Sequence, residues 1–295
     1  MISVEEQISR GIIVCPRTKK PLKMEAEDLV TDDGIRYEFV NSVPILLSEP
    51  TRAKEYSQGS SKMIREYDQE TIKSRSALVG RVKNFLNKDY RTQASRDAFD
   101  TVITAAPENA VCLSIGGGPT REDPKLINLN IGPFPNVDIV ADAHELPYRD
   151  QCIDNIYCEA VLEHLEDPTK AVGEMWRVIK PGGKVIAVTP FMQGFHGYPY
   201  HFQNFTVIGH ALKFSKAGFR VIQSGTCVGP MFTVVTVITV FIKEYFPKFL
   251  RRPVSVAWRF LGAALLPLDL LLGRSNSSHV LASATYVLAE KPQVQ

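Results

Sequence analysis

The chain has 295 residues, 44% of them hydrophobic and 22% charged, and its formal net charge is +2. This ordinary globular composition can bury a sizeable core, and the length predicts one large domain with a smaller appendage. The net charge does not favour nucleic acid and no basic stripe with interleaved aromatic residues is present, so we expect no dedicated nucleic-acid surface.

The cysteines and the first residues bear on the cellular compartment. The five cysteines are scattered and odd in number, a pattern typical of buried, reduced thiols in a cytoplasmic protein. Glu5 and Glu6 stand near the start, and the basic-then-apolar order of a signal peptide is missing. We therefore expect a cytoplasmic protein.

Residues 11–47 contain short alternating runs broken by proline and glycine, which predicts a small β-rich module over residues 1–50. The module resembles the zinc-ribbon-derived Trm112-like modules through Cys15-Pro16 and the Val-Pro-Ile-Leu-Leu run at 43–47. A structural zinc site needs about four nitrogen or sulfur ligands. No cysteine or histidine follows Cys15 until Cys112, so we expect a metal-free module and no metal site. The alternative is an irregular hairpin unrelated to that family.

The next stretch connects the module to the large domain, which we place at residues 83–295. Residues 51–82 are polar and charged with a Gly-Ser-Ser break, which indicates a linker and the start of a helix. Residues 83–104 carry apolar side chains at helical spacing, and Pro107 lies just beyond. The pattern predicts a helix that ends before the first strand of the domain.

Short apolar runs then predict a mostly parallel sheet covered on both faces. The predicted strands are residues 111–115, 126–131, 137–141, 153–158, 184–189, 219–228 and 280–290. Helices are predicted at residues 168–178 and 205–218. Only ten residues separate the first two strands, too few for an ordinary crossover, so the first helix is expected to be a turn or missing.

In an open parallel sheet, ligands bind beyond the carboxyl ends of the strands. The residues at those ends are therefore the candidate binding residues. They are Gly116, Gly118, Asn130, Asp142, Ala143 and Glu159.

The ordered series of a Gly turn, Asp-Ala-x-x-Leu-Pro, Glu-His-Leu-x-Asp-Pro and Lys-Pro-Gly-Gly resembles the class I S-adenosylmethionine-dependent methyltransferases that act on small molecules, lipids and sugars. The resemblance covers about residues 95–228 and the final strand. It implies an α/β, Rossmann-like seven-stranded sheet in a three-layer sandwich, with an antiparallel last strand. It also implies S-adenosyl-L-methionine as the cofactor.

The same resemblance assigns roles to individual residues. Asp142 matches the family residue that reads the adenine amino group, with the next backbone N–H, that of Ala143, donating to a ring nitrogen. A turn or capping aspartate is the alternative. Asn130 stands where the family has an acid for the ribose hydroxyls. Ser114 and Pro119 also depart from the family's glycine motif, which puts cofactor affinity in doubt.

The loop after the fifth strand, residues 190–206, is rich in aromatic residues and histidine. If the acceptor is a hydroxyl, His196 or His201 is the candidate catalytic base. A rigid aromatic lid without proton transfer is the alternative. The Asn-Pro-Pro-Tyr-like tetrad of many amide and base methylators is missing after the fourth strand, which favours an oxygen acceptor. His164 belongs to a turn that we interpret as structural.

Residues 229–279, before the last strand, are strongly apolar and carry six basic and two acidic side chains, a net charge of +4. Proline and charged residues interrupt both apolar runs, so neither provides the roughly 20 clean apolar residues of a membrane span. Apolar helices joined by a basic turn suit the face of an anionic membrane. We expect peripheral contact with the inner membrane face; a lid or a dimer interface is the alternative.

Two functions remain open from the sequence. One is methyl transfer from S-adenosylmethionine to a small or lipid- or sugar-linked acceptor, with O-methylation preferred. The other is a degenerate, non-catalytic scaffold that binds a partner or a membrane, as the changes at Ser114, Pro119 and Asn130 suggest.

Overall fold

The structure is a computed structural model that describes residues 3–48, 88–119, 121–196 and 200–293. The linker predicted at residues 51–82 and the first part of the helix predicted over 83–104 lie outside the described residues. Within the described part, a nine-stranded sheet and a separate three-stranded antiparallel sheet organise the chain.

The large sheet contains the seven strands that the apolar runs predict. They are β6 (Cys112–Ile115), β7 (Leu126–Asn130), β8 (Ile139–Ala141), β9 (Ile153–Glu159), β10 (Ile179–Pro190), β11 (Arg220–Val228) and β12 (Ala284–Glu290). Their order is β11-β12-β10-β9-β6-β7-β8. Strands β6 to β10 pair in parallel, and β12 lies antiparallel between β10 and β11. The predicted mostly parallel sheet with an antiparallel last strand is confirmed, but the predicted number of seven strands is too small.

The N-terminal region contributes one helix and five strands. They are α1 (Val4–Ser9), β1 (Lys23–Glu25), β2 (Asp28–Val30), β3 (Arg36–Tyr37), β4 (Phe39–Val40) and β5 (Val43–Leu46). Strands β1 to β3 form the small sheet. Strand β5 pairs in parallel with β8, with Ile45 opposite Val140, and β4 pairs with β5. The large sheet therefore has nine strands.

This geometry confirms the β-rich character of the N-terminal region. Cys15 is fully buried, and its Sγ lies 3.1 Å from the hydroxyl of Tyr37. The thiol therefore has a hydrogen-bond partner inside the N-terminal region. The Trm112-like identity and the boundary at residue 50 stay predictions.

Alternate residues of the central strands face two different cores, as expected for strands covered on both sides. In β9, Ile156 and Cys158 belong to one apolar cluster, and Tyr157 belongs to the other. In β10, Val185 and Ile186 divide in the same way. The sheet is thus the middle layer of the predicted three-layer sandwich.

Three further helices lie between the N-terminal region and the insertion in the described part of the chain. They are α2 (Gln93–Phe99), which continues as one π-helical turn (Asp100–Thr104), α3 (Pro168–Val178) and α4 (Val207–Lys216). Asp167 caps α3 by accepting hydrogen bonds from the N–H groups of Thr169 and Lys170, and Pro168 occupies its first turn. The described residues between β6 and β7 contain no helix, which confirms the shortened first crossover.

The insertion is helical. It consists of α5 (Pro230–Tyr245), α6 (Lys248–Leu265), a 3₁₀ turn (Leu266–Leu268) and α7 (Asp269–Leu272). One described segment, Lys248–Leu272, is long and apolar enough to cross a membrane by length and composition alone, whereas the sequence pattern predicted no span. We refer to α5, α6 and α7 together as the helical insertion.

Candidate functional site

The predicted binding residues lie at one edge of the sheet. Strands β9, β6, β7 and β8 are neighbours and run in parallel, so their carboxyl ends meet at the same edge. Gly116 follows β6, Asn130 ends β7, Asp142 follows β8 and Glu159 ends β9. The structure therefore brings the residues of four separate motifs to one place.

The glycine turn after β6 needs its glycines for two different reasons. Gly116 has φ +82°, and an added Cβ would overlap the Cγ2 of Val161. Its N–H donates to the carbonyl of Leu129 at 2.8 Å. Gly118 has φ +60°, and the only atom near an added Cβ is the carbonyl oxygen of Gly116, at 3.9 Å. Gly116 thus permits tight packing, whereas Gly118 leaves the backbone open to close approach.

Asn130 and Asp142, at the ends of the next two strands, are polar and buried. The Oδ1 of Asn130 accepts a hydrogen bond from the N–H of Gly132 at 3.3 Å. The Oδ1 of Asp142 accepts from the N–H of His144 at 2.8 Å and lies 2.7 Å from its ring Nδ1. Asp142 therefore caps the 3₁₀ turn that begins at Ala143. The capping role that the sequence left open is present, and the binding role stays a prediction.

Glu159, at the end of β9, forms an ion pair that the sequence did not reveal. Its Oε1 lies 2.6 Å from an Nη atom of Arg91, and the hydroxyl of Tyr157 also donates to its carboxylate. Arg91 and Glu159 have side chains that are 29% and 26% exposed. Burial alone would lower the pKa of Arg91, but the Glu159 carboxylate raises it above the ordinary value. Arg91 is therefore a fixed positive charge at this edge.

A second polar cluster is formed by the 3₁₀ turn (Leu162–His164) and the loop after β10, residues 190–206, which we call the histidine loop. The side chain of Glu163 is fully buried, and burial raises its pKa to about 8. One of its oxygens lies 3.6 Å from Nε2 of His164 and 4.0 Å from Nε2 of His196. The three residues have ligand atoms that all lie within 4.8 Å of one another.

The two predicted catalytic histidines lie side by side, with ring centroids 4.4 Å apart. His201 uses both ring nitrogens: Nε2 lies 2.8 Å from Oδ1 of Asn204, and Nδ1 accepts from the N–H of His196 at 3.2 Å. Nδ1 of His196 lies 2.9 Å from the carbonyl oxygen of Gly194, and Nε2 of His196 lies 4.0 Å from a carboxylate oxygen of Glu163. Their catalytic assignment stays a prediction, with His196 the better placed of the two.

A cavity of about 220 Å³ joins these clusters to the helical insertion. Its polar wall includes Glu159, Glu163 and His196, and its apolar wall includes Val228 and Phe232. Phe232 belongs to the first turn of α5. The insertion therefore forms one side of the cavity next to the predicted cofactor edge.

Helices α5 and α6 are held close together. The indole N–H of Trp258 lies 3.2 Å from the carbonyl of Val235 and 3.1 Å from the hydroxyl of Thr239. An added Cβ at Gly262 would lie 2.8 Å from Val235. Between the helices lies an apolar groove of about 450 Å³, which Phe232 also lines.

The outer surface of the helical insertion combines exposed apolar and basic side chains. Phe241, Phe249, Phe260 and Leu271 are 54%, 79%, 61% and 68% exposed. A depression on the same insertion is lined by Lys248, Arg251, Arg252, Ser255, Val256 and Arg259. Apolar area and positive charge thus occupy the same part of the molecule.

Comparison with known families identifies one segment. Residues 123–187 match the family model described as "Methyltransferase domain". This segment starts just before β7 and ends in β10.

Curated relatives include the ubiquinone/menaquinone biosynthesis C-methyltransferase UbiE of Escherichia coli strain K12. It is 34% identical over 80 residues, which cover 24% of this chain and 32% of the relative. The chain thus spans about a third, 32%, of the length of the curated relatives it matches.

Two solved structures are among those to which this chain is similar. Phosphoethanolamine N-methyltransferase 2 of Haemonchus contortus, in complex with S-adenosyl-L-methionine, has a TM-score of 0.41 at 15% identity over 68% of this chain and 52% of that chain. A putative sarcosine dimethylglycine methyltransferase from Galdieria sulphuraria has a TM-score of 0.42 at 15% identity over 72% and 86%. Both scores lie below 0.5, so the fold described above rests on this chain's own strand order.

Sequence reasoning missed Arg91 and the grouping of Glu163 with His196. Arg91 lies 68 residues before its partner Glu159, in the stretch predicted as a helix over 83–104. That prediction is wrong for the described residues before Gln93, because residues 88–92 are not helical. The available signal was the acid at the end of β9, which needs a cation or a hydrogen-bond donor once it is partly buried. The sequence could not say which one.

Proposed function

We propose that this chain is an S-adenosylmethionine-dependent methyltransferase acting on a small or lipid- or sugar-linked acceptor. The observation that carries the proposal is the position of the methyltransferase-domain segment, residues 123–187. It supplies β7, β8, β9 and part of β10, whose carboxyl ends meet the glycine turn of β6 at one edge. Open α/β sheets bind their ligands at this edge.

The residues at the edge fit the cofactor's chemistry. The open backbone at Gly118 permits close approach of a ligand. The Asp142 carboxylate can accept from an exocyclic amino group, the Ala143 N–H can donate to a ring nitrogen, and the Asn130 amide can bond ribose hydroxyls. S-adenosylmethionine supplies an activated methyl group when bound, so the task of the chain is to align the acceptor with it.

The acceptor headgroup is proposed to occupy the 220 Å³ cavity. His196 lines this cavity and is the candidate base for an acceptor hydroxyl, and His201 supports it through the backbone. We therefore propose O-methylation. The curated relatives are named C-methyltransferases, so methylation at carbon is the competing outcome, which analysis of the product decides.

A lipid-linked acceptor is supported by the two spaces that meet at Phe232. Phe232 lines both the polar cavity and the mostly apolar groove between α5 and α6, and Lys243 and Arg259 also line that groove. A molecule with a polar head and an apolar chain suits this pair of spaces. The groove has about twice the volume of the cavity, 450 Å³ against 220 Å³.

We further propose that the helical insertion lies on the inner face of an anionic membrane, with the rest of the protein in the cytoplasm. The helical insertion carries both the exposed phenylalanine and leucine side chains and the basic depression that contains Arg251, Arg252 and Arg259. Buried apolar area and attraction to anionic lipid together determine the strength of such interfacial binding. Pro253 within α6 and the arginines of that helix favour a position on the surface over a span.

A non-catalytic scaffold is the second candidate. The Glu159 carboxylate is engaged by Arg91 and Tyr157, and Asn130 replaces an acid at the end of β7. Both features reduce the polar groups available for a cofactor. They are the reason that cofactor binding itself must be measured.

The experiment for the activity uses S-adenosylmethionine with a tritiated methyl group. The full chain is incubated with a membrane lipid extract and, separately, with a water-soluble metabolite extract. Label in the organic phase supports a lipid-linked acceptor, and label in the aqueous product supports a small one. If neither pool gains more label with the wild type than with Asp142→Ala, the proposed transfer is wrong. Mass spectrometry of the product distinguishes O-methyl from C-methyl groups.

A further inference from the structure

Glu163 is a buried carboxylate that lacks a hydrogen bond. Glu163 is 0% exposed, and neither of its carboxylate oxygens has a hydrogen-bond partner among the described residues. Burial of an uncompensated carboxylate is strongly unfavourable, so such groups are normally paired, protonated or bound to a metal. Glu163 therefore requires an explanation that the fold does not provide.

Two histidines face this carboxylate with the same ring nitrogen. His164 and His196 point Nε2 at one Glu163 oxygen, at 3.6 and 4.0 Å. The far nitrogen of each ring is held by a backbone carbonyl: that of Tyr200 at 2.7 Å for His164 and that of Gly194 at 2.9 Å for His196.

These carbonyl contacts determine the tautomers. A carbonyl oxygen only accepts, so Nδ1 of each histidine must carry the proton. In the neutral rings, Nε2 of His164 and Nε2 of His196 then present lone pairs to the Glu163 carboxylate. When Glu163 is ionised and both rings are neutral, three acceptors converge, an arrangement that either a metal ion or a proton on Glu163 can satisfy. Imidazoles that bind a metal typically donate their other N–H to a carbonyl or carboxylate in this way.

The spacing of the three ligand atoms suits one small cation. Bonds of about 2.0–2.1 Å in a tetrahedral site place ligand atoms about 3.3 Å apart. The Glu163 oxygen is 3.6 and 4.0 Å from the two nitrogens, and no pair of the three ligand atoms is separated by more than 4.8 Å. Small rotations of the Glu163, His164 and His196 side chains would therefore bring the three ligand atoms to the spacing of a tetrahedral site.

We propose that Glu163, His164 and His196 form a site for a divalent transition-metal ion of the zinc type. Two imidazole nitrogens and one carboxylate oxygen are the three protein ligands of one kind of catalytic zinc site, which keeps its fourth position open. Mg²⁺ prefers oxygen ligands and is not expected to bind here. The expectation of no metal site came from the missing zinc ligands of the N-terminal module. Glu163 and His196 are far apart in the chain, so the sequence did not indicate this cluster.

The open position faces the proposed acceptor cavity. Glu163 and His196 both line that cavity, whereas His201 lies behind His196 and bonds its backbone N–H. A metal ion here would polarise an oxygen of a molecule in the cavity and lower the pKa of its hydroxyl. This role would replace proton abstraction by His196, whose Nε2 would then be a ligand. His201 acts in this arrangement as a positioning residue.

Metal binding can be measured without any cofactor, so the result is independent of methyl transfer. The full chain is prepared without a histidine tag, stripped with a chelator and titrated with Zn²⁺ against a chromophoric competitor. Co²⁺ in place of Zn²⁺ gives a visible spectrum that reports four-coordination. We expect one ion per chain and at least a ten-fold loss of affinity in His164→Ala and His196→Ala.

Two further variants distinguish loss of a metal ligand from a general loss of histidine or of folding. His279 is a matched control, because its Nδ1 also lies 2.9 Å from a carbonyl, that of Asn276, and none of the described residues forms an ion pair with it. His279→Ala should bind Zn²⁺ like the wild type. Glu163→Gln preserves the shape of the side chain and should lose affinity while its thermal unfolding shows that it still folds.

The overturning result is equal Zn²⁺ affinity in the wild type, His164→Ala and His196→Ala, or no stoichiometric binding by the folded wild type. In either case Glu163 is a protonated carboxylic acid that donates to a histidine, and the three residues form a hydrogen-bonded cluster only.

Discussion

Asp269 caps helix α5 from 38 residues further along the chain: its Oδ1 accepts a hydrogen bond from the N–H of Met231 at 2.8 Å. Its other carboxylate oxygen accepts from the N–H of Phe232 at 2.9 Å. Asp269 is only 3% exposed, and an added Cβ at Gly229 would overlap its carboxylate. The end of the helical insertion is therefore tied to its beginning, next to the proposed acceptor cavity.

The first prediction concerns this cap. Asp269→Ala should lower the free energy of unfolding by about 1–2 kcal/mol, because two helix N–H groups lose their acceptor. Asp269→Asn retains one carbonyl oxygen and should lose less. Urea unfolding measures both. Equal stability of the wild type and Asp269→Ala would show that the cap contributes nothing.

The second prediction concerns membrane binding. The wild type should sediment with anionic vesicles and much less with neutral ones. Added salt should weaken the binding, since charges are screened over about 8 Å at physiological ionic strength. Arg252→Glu should reduce binding by at least about five-fold, because a basic residue near the surface contributes about 1 kcal/mol and the new carboxylate is repelled by anionic lipid.

The control for membrane binding is Lys216→Glu, an equal charge change at an exposed residue of α4. This variant should bind vesicles nearly as the wild type does. A protein that ignores vesicles of either charge would make the helical insertion a lid or a subunit interface.

The third prediction concerns the ion pair at the end of β9. Arg91→Ala should reduce the free energy of unfolding by about 2 kcal/mol, because it leaves the half-buried Glu159 carboxylate without its cation. In a double-mutant cycle with Glu159→Gln, the two changes should be non-additive by about 1 kcal/mol or more. Additive effects would contradict a stabilising pair.

The fourth prediction concerns pH. His210 is fully buried, and its Nδ1 lies 3.2 and 3.1 Å from the hydroxyls of Thr189 and Thr285, between the rings of Phe205 and Phe214. Burial lowers its pKa from 6.5 to about 3. The unfolded chain therefore binds more protons in this window, so stability is full above pH 6.5 and falls as the pH approaches 3.

The measurement for His210 is the unfolding free energy of the wild type and His210→Gln as a function of pH. The advantage of the wild type should shrink by about 2 kcal/mol between pH 6.5 and pH 5, at about 1.4 kcal/mol per pH unit. Curves that stay parallel over this range would show that His210 does not control the pH dependence.

The core of the fold could be predicted because burial on both faces leaves a strong pattern in the sequence. Strand β9 sends Tyr157 to one core and Ile156 to the other, and short continuous apolar runs are typical of such strands. The pairing of β5 with β8 could not be predicted. Ile45 and Val140 lie far apart in the chain, and apolar periodicity does not say which strands are neighbours.

The candidate site could be predicted where it depends on strand ends. Asp142 and Glu159 follow or end their strands, so parallel pairing alone brings them to one edge. Arg91 and the trio containing Glu163 depend on how distant segments pack, which the sequence pattern does not encode. The capping role of Asp269 could not be predicted for the same reason. In the sequence, this acid only indicated an interruption of an apolar run.

Calorimetry with S-adenosylmethionine and its demethylated product, S-adenosylhomocysteine, tests the central claim most directly. We predict that each ligand binds one site per chain. Binding should be lost in Asp142→Ala and kept in Asp32→Ala, which removes the same charge from an exposed position. Thermal unfolding of both variants checks that they remain folded. The absence of binding heat from the folded wild type at millimolar ligand would contradict the account and favour a non-catalytic scaffold.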